Sequence, residues 1–141
     1  MGLDMYLRKV TMIGSSKYLK NLPSKVNPER VETITEHVMT WRKANQIHNW
    51  FVENIQDGVD NQATYTVGFD DLAKLRDICQ EVLNNPDKSS ELLPTRPGFF
   101  FGGTDYDEYY FTNLRETLKS LTDLLNEEGA TYADYEYTCW W

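Results

Sequence analysis

The feature that most constrains the fold is an apolar stripe toward the end of the chain. Tyr110, Phe111, Leu114, Leu118, Leu121 and Leu125 recur every three or four residues, the spacing that gathers side chains on one face of an α-helix. A helix with one apolar face needs a second layer to bury it. The spacing predicts a helix over about 107–127, stopped by Gly129. Two more stripes make the same demand. Trp41, Ala44, His48, Phe51, Val52 and Ile55 predict a helix over 41–55, with Thr40 as N-cap and Asp57-Gly58 as stop. Leu72, Leu75, Ile78, Val82 and Leu83 predict another, capped by Asp70 and ended at Asn84-Asn85-Pro86.

Between these stripes the period falls to two. Leu3, Met5 and Leu7 alternate, as do Ala133, Tyr135, Tyr137, Cys139 and Trp141, so strands are expected near both ends of the chain. Residues 64–67 are β-branched and aromatic, which predicts a strand, and Phe99–Phe101 is an apolar run between glycines, expected to be a buried strand. Residues 31–38 carry both periods; Thr33 and Thr35 tip them toward a short strand. Residues 14–27 and 86–97 read as loops, the second anchored by Leu92 and Leu93. Strands and helices do not alternate as a regular βαβ series. The expected fold is therefore α+β: a single domain over 1–141 with a mostly antiparallel sheet packed against three helices. A chain of 141 residues fits one domain and buries a core without disulfides or metal.

The formal net charge is −8, with the acids spread along the chain rather than gathered in a tail. Without a basic stripe the chain lacks the electrostatic footprint of a DNA- or RNA-binding protein, so no nucleic-acid partner is expected. The acidity reads either as a solvated surface or as a face that docks on a basic groove. Cys79 and Cys139 fit no zinc or CxxC spacing. The opening Met-Gly-Leu-Asp-Met-Tyr-Leu lacks the charge and apolar run of a signal peptide. Tyr6 stands where a myristoylation pattern needs Ser or Thr. No segment is long and apolar enough to span a membrane. These features predict a cytoplasmic protein with reduced thiols and no membrane partner.

Three stretches, MGLDMYL, WRKANQIHNWFVENIQDG and LLPTRPGFFFGGTDYDEYYF, cover about a third of the chain. Together they resemble a group of small uncharacterised proteins from bacteriophages, prophages and bacteria. The resemblance implies a phage-associated accessory protein of the host cytoplasm. It implies no activity and carries over no functional residue.

The residues themselves offer several constellations. On the expected 41–55 helix, Trp41, Asn45 and His48 share a side with Ala44, an arrangement that binds or protonates a ligand if it is open to one. The plain alternative is a His and an Asn at the edge of a core, bonded to their neighbours. The segment Gly102-Gly103-Thr104-Asp105-Tyr106-Asp107-Glu108 precedes a helix, but its acids repel a phosphate and suit the helix dipole instead. Tyr106, Tyr109 and Tyr110 are candidates to line a pocket. His37 and His48 have no convergent ligands, and Asp105-x-Asp107 lacks the later acids of a calcium loop, so no metal or cofactor is expected. Ser15, Ser16, Ser89 and Ser90 lack a GxSxG setting. Trp140 and Trp141, adjacent on a strand, face opposite sides: either both are buried, or one is exposed as a partner anchor.

Three readings follow. The first is a non-enzymatic phage or prophage accessory protein that binds and blocks a host cytoplasmic component, such as one of an antiviral defence system. The second is a binder of a small, nucleotide-like molecule in an aromatic pocket. The third is a small enzyme using His48 as general acid or base with Asp105 or Asp107. The candidate binding set is Trp41, Asn45, His48, Tyr106, Tyr109, Tyr110 and Trp140; no catalytic residue is assigned, and self-association stays open.

Overall fold

The computed structural model describes residues 2–15, 17 and 19–141. Its strands are β1 (Asp4–Met12), β2 (Thr33–Arg42), β3 (Tyr65–Val67) and β4 (Asp134–Trp140). They form one antiparallel sheet in the order β2-β1-β4-β3, which sets the early strand beside the last one at its centre. The helices are α1 (Asn45–Asn54), α2 (Phe69–Asn84), the single-turn α3 (Ser89–Leu92) and α4 (Glu108–Leu125). The fold is α+β, with three long helices against an antiparallel sheet, as the two periods predict.

The strand register explains which face is covered. It sets Met5 beside Trp41 and Cys139, and Leu7 beside Met39 and Tyr137. All six side chains are buried. Their alternates, Tyr6, Thr40 and Thr138, lie on the other face and stay partly or wholly exposed. The helices cover the apolar face. Phe51 of α1 stacks on Tyr137 of β4 with ring centroids 3.8 Å apart, and Trp41 Nε1 donates to Thr117 Oγ1 of α4 at 2.7 Å. The stripes of α2 and α4 meet in the same core through Leu72, Leu75, Val82, Leu114 and Leu121.

Four local expectations are corrected. Thr40 does not cap a helix: Thr40, Trp41 and Arg42 end β2, which is far longer than the expected short strand over 31–38. Trp41 points inward two residues after Met39, so it follows the strand period. The helix begins only at Asn45, after Lys43 turns the chain with φ +54°. Phe99–Phe101 is not a strand. Phe100 adopts φ +65°, a left-handed conformation that breaks any ladder, and of the three only Phe101 is buried. In α2 the cap is Gly68, whose N–H donates to Asp71 Oδ2 at 3.2 Å, rather than Asp70. The expected loop over 86–97 contains α3, with Leu93 buried behind it. Ser16 and Tyr18, in the expected loop over 14–27, lie outside the described residues.

Candidate functional site

Three polar residues of α1, Asn45, Gln46 and His48, are buried. His48 is fully buried. Its Nε2 lies 2.8 Å from Asp60 Oδ1, and its Nδ1 lies 2.6 Å from the Tyr137 hydroxyl. A carboxylate only accepts, so Nε2 carries the ring proton and the Tyr137 hydroxyl donates to Nδ1. Burial holds His48 below the usual histidine range against the opposing pull of Asp60, and the nearby Arg96 charge lowers it further. Arg96 completes the chain: its Nε donates to Asp60 Oδ2 at 3.2 Å and its Nη1 to Asn49 Oδ1 at 2.9 Å. Both ring nitrogens of His48 are thus committed, and its acidic partner is Asp60, not Asp105 or Asp107. Asp107 instead caps α4, accepting from the Tyr110 N–H at 3.0 Å.

Asn45 has an equally internal task. Its amide nitrogen donates to the carbonyls of Phe101 and Gly103 at 2.9 and 2.8 Å, and its Oδ1 accepts from the Arg96 N–H at 3.0 Å. One buried side chain therefore clamps the loop from Arg96 to Gly103 onto α1. The Leu3 N–H donates to the Phe100 carbonyl at 3.1 Å and ties the same loop to the sheet. Tyr110 is buried too, and its hydroxyl donates to the Leu93 carbonyl at 2.7 Å. Gln46 Nε2 donates to the Tyr110 carbonyl at 3.2 Å. His48 and Tyr110 are thus bonded to different partners, His48 to Asp60 and Tyr137 and Tyr110 to the Leu93 carbonyl. Trp41, Asn45, His48 and Tyr110 are all buried and bonded within the fold.

What the clamp displays is different in kind. Phe99 is 79% exposed and packs edge-on against Phe100, with ring centroids 4.3 Å apart. Around Leu3 the register gathers the ends of three strands. Asp4 pairs with Arg42 on one side and Trp140 on the other, and the Lys43 N–H donates to the Leu3 carbonyl. Trp140 is 65% exposed, whereas Trp141 turns inward against His48 and Phe101. The half-exposed Tyr109 donates its hydroxyl to the Arg42 carbonyl, and the exposed Tyr106 packs on Tyr110. One pole of the molecule thus presents Phe99, Phe100, Tyr106, Tyr109 and Trp140 with Arg42 and Lys43 among them. Of the sequence candidates, Tyr106, Tyr109 and Trp140 lie here. Phe99 and Phe100 were hidden by the expectation of a buried strand. Asp60, Arg96 and Tyr137 had no local signal, since each meets His48 or its partners only through the fold.

Elsewhere, two open clefts of about 240 and 330 Å³ flank Lys9. Lys9 pairs with Glu127 at 2.8 Å, and that hydrogen bond raises its pKa. Glu36, Asp123 and Glu128 make these clefts acidic, a poor setting for a phosphate. Among the described residues no group of three or more His, Cys, Asp or Glu side chains could hold a metal ion. None of the helices is long and apolar enough to cross a membrane, among the same residues. Cys79 and Cys139 are both buried free thiols, each pushed up to about 12 by burial. Compared with protein-family models, curated proteins and solved structures, the chain matches none.

Proposed function

We propose that the chain is a non-enzymatic, phage- or prophage-associated accessory protein that docks on a host protein through its aromatic pole and so blocks it. The observation that carries this reading is the exposure of Phe99 and Trp140 on a strand end and on a loop that Asn45 bonds to α1. Large aromatic side chains beside arginine are the residues that anchor protein interfaces. Exposing them costs solubility, and the fold had inward positions to offer: Trp141 and Phe101, their neighbours, are turned in. Holding the loop in advance lowers the ordering cost of binding. The cavity near the tyrosines, about 40 Å³, is far below the several hundred Å³ of a typical nucleotide-sized site, which weighs against the small-molecule reading.

The test is quantitative capture of host proteins on immobilised protein, comparing the native chain with Phe99→Ala/Trp140→Ala. The expected result is one host protein retained near equimolar amounts by the native chain and lost from the double variant. Equal retention by both would overturn the reading.

A further inference from the structure

Charge is unevenly spread over this chain. Residues 13–32, which join β1 to β2, carry Lys17, Lys20, Lys25 and Arg30 against two acids, Glu29 and Glu32, in a protein whose net charge is −8. Lys20, Lys25 and Arg30 are exposed and make no ion pair or side-chain hydrogen bond among the described residues. The two open clefts that flank Lys9 adjoin the start of this loop. Met12, the last residue of β1, lines the larger with Glu128 and Tyr132, while Glu36 and Asp123 line the smaller. Met12 is 70% exposed and Tyr132 92%. Lys9 is spent on Glu127, but Glu36 and Glu128 form no ion pair among the described residues. One end of the molecule thus sets a basic loop beside clefts that are acidic and partly apolar.

We propose that this end is an interface between two copies of the chain, each laying its basic loop against the acidic clefts of the other. Charge complementarity selects that occupant. A polyanion drawn to the loop would meet Glu36, Asp123, Glu127 and Glu128 beside it, and a cationic partner drawn to the clefts would meet the loop. A second copy brings both signs. Loop and clefts adjoin on one hairpin, so a two-fold rotation sets each loop against the other copy's clefts, and the contact closes as a pair. Val26, 39% exposed next to Lys25, gives the loop an apolar side chain to set against Met12 and Tyr132, the apolar centre that a charged rim surrounds in such contacts. The aromatic pole lies at the other end of β1, roughly 25 Å away, so pairing leaves it free on each copy. The pairing does not rest on the docking reading.

The test is charge exchange on the intact chain, read by sedimentation velocity. Lys25→Glu/Arg30→Glu reverses the loop, and Glu36→Lys/Glu128→Lys reverses the clefts. All four positions are exposed, so both variants should melt as the native chain does. The native chain is expected to dimerise at low salt and to dissociate as salt rises. Each variant alone should dimerise at least about tenfold more weakly. Mixed in equal amounts the two should pair again, because reversed loop then meets reversed clefts and native loop meets native clefts. A native chain that stays monomeric at low salt up to about 1 mM, the scale of a negligible affinity, would overturn the proposal. So would a variant that dimerises as the native chain does, or a mixture that fails to pair. These outcomes leave the docking reading standing. That reading fails separately, if the Phe99→Ala/Trp140→Ala variant keeps the partner.

Discussion

The two polar-aromatic regions of this protein lie only a loop apart and behave oppositely. Beneath the loop, Asn45, His48, Asp60, Arg96 and Tyr137 form a connected set whose hydrogen-bonding groups are directed at one another. Above it, Phe99, Phe100, Tyr109 and Trp140 expose apolar surface. By residue type alone the first region looks like the chemical centre, since it holds a histidine, a carboxylate, an arginine and a tyrosine. Its side chains are instead bonded to one another. A group whose bonds are all made inside the fold has none left for a ligand. The comparison teaches that the same kinds of side chain are spent on the fold in one place and left open in the other, and that their partners, not their type, tell the two apart.

The comparison breaks most readily at His48. His48→Ala removes the acceptor of a buried Tyr137 hydroxyl and leaves a hole against Phe101 and Trp141. The expected loss of stability is about 3 kcal/mol, read by denaturant melts. A change under about 0.5 kcal/mol would mean that the network carries no structural weight. Asn45→Ala comes next. Three hydrogen bonds to the loop are lost, for about 2 kcal/mol, and hydrogen exchange should quicken at residues 98–103 while α4 stays protected.

The pH dependence sharpens the same contrast. His48 sits below its ordinary value of 6.5 in the folded state, so the unfolded chain binds its proton first as pH falls. Stability from this group is complete above pH 6.5 and is lost as the pH drops below it toward the folded pKa. The slope there is bounded by the release of one proton, at most about 1.4 kcal/mol per pH unit. The difference between the native chain and His48→Gln isolates the effect from the carboxylates. That difference should shrink on acidification from pH 7 to pH 5, and a gap that widens would reverse the assigned sign. At the pole the expectation is smallest: Trp140→Ala should shift stability by no more than about 0.5 kcal/mol, as exposed substitutions do.

How much of this was legible in the sequence follows from the range of each interaction. The stripe of α4 and the alternation of β4 were readable because period reports which face is buried. Trp41 misled because its spacing to Ala44 and His48 imitates a helix, although its actual partner in period is Met39. Phe99–Phe101 misled because a run of three phenylalanines reads as core, and nothing local announces that Phe100 turns through positive φ. The Asn45 clamp and the His48 network were invisible. Asn45 reaches residues more than fifty positions away, and His48 meets Tyr137 across 89. Spacing along the chain says nothing about such pairs.

The most direct test measures stability and partner affinity together on two variants, His48→Ala and Phe99→Ala/Trp140→Ala, with affinity read at a temperature where each is fully folded. If the pole is the working surface and the His48 network its support, the histidine variant loses about 3 kcal/mol of stability and, once folded, still binds the partner. The aromatic variant melts as the native chain does and loses the partner. Affinity that falls only in proportion to lost folding in both variants would contradict this division of labour.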